Sequence, residues 1–136
     1  MSKKFFFQPG LLLLVFFMVL PLAACRQAQI NNVIDWPVAR GEPQATAKVK
    51  SAILAACEER GWVAREVRPG LINASIFLRG KHTAVVEIPY SGSSYSIIYK
   101  DSVNLKYNAA KQTIHGQYNT WVNNLRHDIN VRLAQL

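Results

Sequence analysis

The sequence predicts an α+β fold, a two-layer sandwich with two helices on one face of a four-stranded antiparallel meander, in the order α-β-β-β-β-α. Three observations predict it. Residues 44–60, and the chain from Tyr118 onward, repeat apolar side chains every three or four positions. Between them, residues 62–100 form four short runs, the middle two clearly alternating apolar and polar side chains. Pro69-Gly70, Gly80-Lys81 and Ser91-Gly92-Ser93 separate those runs, and turns this short join antiparallel neighbours.

Each element has its own warrant. In residues 44–60, Ala45, Val49, Ile53 and Ala56/Cys57 make the apolar stripe, while Lys48, Lys50, Glu58 and Glu59 point elsewhere. Pro43 precedes this helix and Gly61 follows it, the usual asymmetry of helix ends. Residues 62–68 make the first strand. In residues 71–79, Ile72, Ala74, Ile76 and Leu78 alternate with Asn73, Ser75 and Arg79. Residues 82–90 set Ala84, Val86 and Ile88 against Thr83, Val85 and Glu87, and residues 94–100 put Tyr95, Ile97 and Tyr99 on one face. Val103, Leu105 and Tyr107 extend that alternation past a bend at Asp101-Ser102, and residues 108–112 read as a polar loop. The final helix carries Tyr118, Trp121/Val122, Leu125, Ile129 and Val131/Leu133, a stripe that needs an apolar sheet face to cover.

The N-terminal residues have a different composition. Lys3 and Lys4, the apolar stretch 10–22 and the small residues Ala23 and Ala24 follow the order of a secretory signal, placed at residues 1–24. The apolar run is broken by Pro21 and is too short for the ~20 residues of a membrane span. Leu22-Ala23-Ala24-Cys25 resembles the lipobox of bacterial lipoproteins. That resemblance implies diacylglycerol on the Cys25 sulfur, cleavage before Cys25 by signal peptidase II, and acylation, such as palmitate, of the new amine. Two or more acyl chains hold a protein on a bilayer far longer than one. The residue after the cysteine is Arg26. Asp at that position retains Gram-negative lipoproteins at the inner membrane, so the resemblance implies the outer membrane, with the domain facing the periplasm. Residues 25–43 are expected to form the lipidated N-terminus and a tether, reaching up to ~60 Å if extended. Val33, Ile34 and Trp36 within it either dock on the domain, the simpler choice, or rest at the membrane interface. Residues 44–136 form one domain.

Once Lys3 and Lys4 are removed, 14 Lys and Arg face 8 Asp and Glu. An exported protein does not normally meet the cell's DNA, so a nucleic-acid partner is set aside. Anionic phospholipid, lipopolysaccharide phosphate or an acidic glycan are the candidate partners, beside a plain solvated basic surface. Arg65 and Arg68 flank the first hairpin turn, and Arg79 and Lys81 the second. Consecutive hairpins turn at opposite ends of a meander, so these are two separate candidate contacts for an anionic surface. With Cys25 lipidated, Cys57 has no partner for a disulfide and belongs to an apolar helix face.

Catalytic and metal chemistry find little support. His115 and His127 are twelve residues apart, some 18 Å along a helix, and cannot share an ion there. Asp101, Ser102 and His115 have the residue types of a hydrolase triad but lack a nucleophile-elbow motif. Glu58, Glu59 and Glu66 form no convincing acid/base pair, and no glycine loop is built for phosphates. Tyr90, Tyr95, Tyr99, Tyr107, Tyr118, Trp62 and Trp121 serve as core and rim, with a groove for sugars or lipid as the alternative.

From Val49 onward the chain resembles a family of small proteobacterial lipoproteins of unassigned reaction. The resemblance lies in Arg60-Gly61-Trp62, Gly70-Leu71-Ile72, Arg79-Gly80-Lys81-His82, Tyr95-Ser96-Ile97, Tyr99-Lys100-Asp101-Ser102, Asn104-Leu105, and Ile114-His115 with Tyr118-Asn119 and Trp121. It implies an envelope location and one small α+β domain, and it carries over no catalytic role. The expected function is a non-enzymatic accessory or binding module at the membrane surface, needing no metal or cofactor, with an envelope protein or an anionic lipid or glycan as partner. The alternative is a periplasmic carrier holding a lipid or glycan between sheet and helices.

Overall fold

The computed structural model describes Lys3 and residues 26–136. The signal segment apart from Lys3, and Cys25, lie outside the described residues. The chain runs β1 (Gln27–Gln29), β2 (Val33–Pro37), α1 (Thr46–Glu59), β3 (Val63–Arg68), β4 (Leu71–Leu78), β5 (His82–Pro89), β6 (Ser94–Val103), β7 (Thr113–His115) and α2 (Gln117–Leu133). This is an α+β fold with two helices and antiparallel sheets. A five-stranded sheet has the order β2-β6-β5-β4-β3, and β1 pairs with β7 in a second, two-stranded sheet.

The alternation that predicted the meander is what closes the core. Ile72, Ala74 and Ile76 of β4, Ala84, Val86 and Ile88 of β5, and Tyr95 and Ile97 of β6 are buried on one side. They join Val49, Ile53 and Cys57 of α1 and Val122, Leu125 and Ile129 of α2 in one cluster. Both helices therefore cover one face. The opposite positions, among them Val63, Arg65, Asn73, Phe77 and Thr83, are half-buried or exposed. The β5–β6 register slips at Val85/Val86, which face Asp101 and Tyr99 and leave Lys100 as the extra residue of a bulge. At the far border, the β3–β4 register slips between Glu66 and Arg68.

The four-stranded expectation is corrected by β2, and the tether by β1 and β2 together. Val33 pairs with Ile97 and buries its side chain in the core, and Trp36 pairs with Tyr95. Between them the register shifts. Asp35 takes a φ of 46° and its N–H donates to Ser96 Oγ at 2.9 Å. That irregularity breaks the two-residue period, so the segment reads as linker although it is a sheet edge. Ile34 stays exposed, and the Trp36 ring lies 4.4 Å beneath the Arg126 guanidinium of α2. The chain from β2 to α1 is fastened as well, Val38 N–H donating to Ser93 O and Gln44 N–H to Gly92 O, both at 2.9 Å.

The last strand of the meander runs past the expected residues 94–100 but does not reach Tyr107. β6 stops at Val103, because Asn104 (φ 58°) and Lys106 (φ 53°) turn the chain away from the sheet. Residues 108–113 then close a tight turn through Asn108 and Thr113, and β7 returns to pair with β1. In α2, Val131 is exposed and Leu133 carries the stripe to its end.

The helices are tied side by side by charge. Arg60 Nε and Nη2 donate to Asp128 Oδ2 and Oδ1 at 2.6 and 2.8 Å, and Arg132 pairs with Glu59. The hydrogen bonds from Arg60 hold the Asp128 carboxyl below the usual carboxylate range. A depressed pKa contributes stability that is complete above the ordinary value of 3.8 and is lost as pH falls through the lower, folded value. Arg60 is 42% exposed, so the pair contributes at most about 1 kcal/mol. Asp128→Asn is expected to lower stability slightly near neutrality and to flatten the loss below about pH 4, measured by urea unfolding across that range.

Candidate functional site

Three segments far apart in sequence meet at one end of the sandwich. Leu78 and His82 close the β4–β5 hairpin around Arg79, Gly80 and Lys81. His82 Nδ1 lies 2.9 Å from the Asn104 carbonyl oxygen, so that nitrogen carries the proton, and Asn104 Nδ2 donates to Lys81 O at 2.7 Å. His115 N–H donates to Leu105 O at 2.8 Å, which brings β7 against the chain leaving β6. On β1, Gln27 faces His115, the Gln27 amide reaches Lys106 O, and the Gln29 amide reaches Lys111 O, both at 3.2 Å. Arg26 O accepts from Gly116 N–H at 2.9 Å, just before α2 begins.

The charge at this end is mainly positive, with Asp101 two residues before Val103 on the same strand. Segments 26–30, 78–83 and 103–117 carry Arg26, Arg79, Lys81, Lys106 and Lys111 and contain no Asp or Glu. All five cations are exposed. Backbone strain gathers here too. Of the five described non-glycine residues with positive φ, Arg79, Asn104, Lys106 and Gln112 belong to this end. Each left-handed residue costs roughly 1–2 kcal/mol, and such residues cluster at functional sites.

A cleft of ≈ 270 Å³ opens among these groups. Leu78, Leu105 and Trp121 supply its apolar lining, and Arg79, His82, His115 and Gln117 its polar lining. His115 Nδ1 accepts the Gln117 N–H at 3.2 Å, so its proton sits on Nε2. The first turn of α2 carries no acidic residue and no side-chain cap, so its positive dipole end adds to the potential here. The volume lies below the 300–1,000 Å³ typical of drug-sized ligands. A planar Arg beside the His115 Nε2–H and an amide suits a phosphate-sized anion.

The other face of the sheet carries an apolar row at the same end. Phe77, Thr83 and Val103 stand in one cross-strand row, with Phe77 65% and Val103 53% exposed.

Of the four cations singled out from sequence, Arg79 and Lys81 belong to this end. Arg68 stands by the turn at the other end of the hairpin, and Arg65 faces outward opposite Asn73. Arg26, Lys106, Lys111, His82 and His115 were missed as site residues: the β1–β7 pairing brings Arg26 beside this end, and the His82–Asn104 and His115–Leu105 bonds join the remaining segments. One signal was available, since no acidic residue occurs between Ser102 and His127.

The triad candidates are not assembled. Asp101 Oδ1 accepts the Ser102 N–H at 2.8 Å, Ser102 Oγ lies 2.8 Å from Tyr99 OH, and His115 belongs to the cleft. Among the described residues no three His, Cys, Asp or Glu side chains group as metal ligands. Cys57 is fully buried, and burial pushes its thiol up to about 12, which keeps it protonated and inert. Trp62, Tyr90, Tyr95 and Tyr118 are buried, and the Tyr99 ring lies tilted against Tyr107 at 4.5 Å and edge-to-face with Tyr118 at 5.6 Å between centroids. Among the described residues no helix is long and apolar enough to cross a membrane.

Comparison with family models, with curated proteins and with solved structures returned no match.

Proposed function

We propose that this protein is a cell-envelope lipoprotein, anchored through acylated Cys25, whose folded part is a non-enzymatic accessory or binding module at the membrane surface. On this reading the anchor belongs to the outer membrane and the domain faces the periplasm, as the resemblance to lipoproteins with a residue other than Asp after the cysteine implies. The observation that carries the reading is the junction between anchor and fold. The lipobox-like Leu22-Ala23-Ala24-Cys25 stands one residue before strand β1, which begins at Gln27, and the basic end of the domain contains Arg26 itself. A membrane anchor and an anion-attracting surface thus share one location, which suits a module working at a phospholipid or lipopolysaccharide surface. The space between sheet and helices is filled by Ile53, Ile72, Val86, Ile88, Tyr95 and Leu125, each at most 1% exposed, which favours a surface-acting module over a carrier with an internal cargo.

Labelled palmitate is expected to enter the wild-type chain, which should sediment with membranes. Cys25→Ser should take up no label and remain uncut. If the Cys25→Ser protein is still processed and holds to membranes as firmly as wild type, the reading fails.

A further inference from the structure

We propose that the domain does not swing on its anchor but sits on the bilayer in one orientation, with the β1–β7 end and the β4–β5 turn against anionic lipid head groups and the cleft beside Arg79 taking a head-group phosphate. The inference rests on the anchoring reading above and adds which face meets the membrane.

Four observations converge on it. The first is the absence of slack. Arg26 is already hydrogen-bonded to Gly116, and Gln27 is paired with His115. One peptide link, about 3.8 Å between α-carbons, separates Arg26 from Cys25. A domain held this closely must present the end at which its chain emerges. Charge is the second. That end displays Arg26, Arg79, Lys81, Lys106 and Lys111, all exposed, and the segments that carry them contain no Asp or Glu. Apolar reach is the third. Phe77 and Val103 project from the outer face beside the basic turn, and Trp121 lines the cleft. Aromatic rings next to cations match the head-group layer, where the ring enters the acyl boundary and the charge stays at the phosphates. The fourth is fit. The ≈ 270 Å³ cleft is lined by the Arg79 guanidinium, by His115 with its proton on Nε2, and by Gln117, donors that suit one anion.

The seating implies that two exposed apolar residues at opposite ends of the sheet have different neighbours. Phe77 is 65% exposed at the basic end, and Val67 is 54% exposed toward the opposite end. The full chain, expressed in cells, would carry photoreactive Phe77→benzoylphenylalanine in one variant and Val67→benzoylphenylalanine in another. After irradiation of isolated membranes, adducts are identified by mass spectrometry, and the acylation state of the N-terminal peptide is read from the same sample. Phospholipid adducts are expected at position 77 at least about tenfold above those at 67. Adding Arg79→Glu and Lys81→Glu to the first variant should reduce them about tenfold. Equal lipid adducts at the two positions, no lipid adducts at 77, or only protein adducts there would overturn the seating. The two proposals separate in this experiment. An acylated Cys25 with no preference for 77 rejects the orientation alone, whereas an unacylated N-terminus with lipid adducts at 77 rejects the anchor and supports the seat.

Discussion

Leu125→Ala is expected to lower the unfolding free energy by about 2–5 kcal/mol, a large share of the ~5–15 kcal/mol that holds an ordinary domain together. Leu125 is fully buried on the stripe of α2, within the cluster that includes Ile53 of α1 and Val86 of β5. Truncation removes the transfer free energy of the lost carbons and leaves a cavity that a sandwich packed from two sides cannot collapse. The tie between the helices, Arg60 to Asp128, lies three residues further along α2 and holds the helix in place over the void. Urea unfolding of the wild type and variant measures the difference, with Val67→Ala as a control. Val67 is 54% exposed, and its truncation should change stability by no more than about 0.5 kcal/mol. A loss below 1 kcal/mol for Leu125→Ala would mean that α2 is not clamped on the sheet.

Gly92→Ala ranks second, with an expected loss of about 1–3 kcal/mol and a fall in melting temperature of several degrees. A Cβ at this position would stand 2.2 Å from the carbonyl oxygen of Gln44 and 3.4 Å from its carbonyl carbon. The obstacle is backbone, so no rotamer change relieves it. The same two residues are joined by the bond from Gln44 N–H to Gly92 O, with Val38 bonded to Ser93 alongside. Relief therefore means peeling the segment before α1 from the β5–β6 loop. Ser93→Ala, at an exposed neighbouring position, is expected to be nearly neutral. Thermal melts of the three proteins distinguish a specific clash from a general intolerance of the loop.

The contrast between these residues indicates what the sequence could disclose. Leu125 was legible because the period of α2 is uninterrupted, and Tyr118, Val122, Leu125, Ile129 and Leu133 all report the same face. The hairpins from β3 to β6 were legible for a similar reason, since their turns are short and their partners adjacent. Gly92 looked like an ordinary turn residue. Its real constraint is Gln44, some fifty positions earlier, and no local pattern records a backbone approaching from that distance. β2 was hidden by its own bulge, which puts Asp35 at positive φ between Val33 and Trp36 and spoils the alternation. β1 and β7 are three residues each and pair across most of the domain, too short for a periodic signal. The candidate site inherits that obscurity. Arg79 and Lys81 stood out as charges beside a turn that His82 also closes, but Arg26, Lys106 and His115 became its neighbours only through long-range contacts.

The border formed by β3 has a consequence of its own. A strand that ends a sheet offers its free amides and carbonyls as a template on which another chain can polymerise. Here the slip between Glu66 and Arg68 puts a kink in that template, and Arg65 and Arg68 set like charges along it, so that a second copy approaching edge to edge would meet repulsion and a broken hydrogen-bond ladder. The two arginines thus guard against fibre-like aggregation, a protective duty that asks for no ligand.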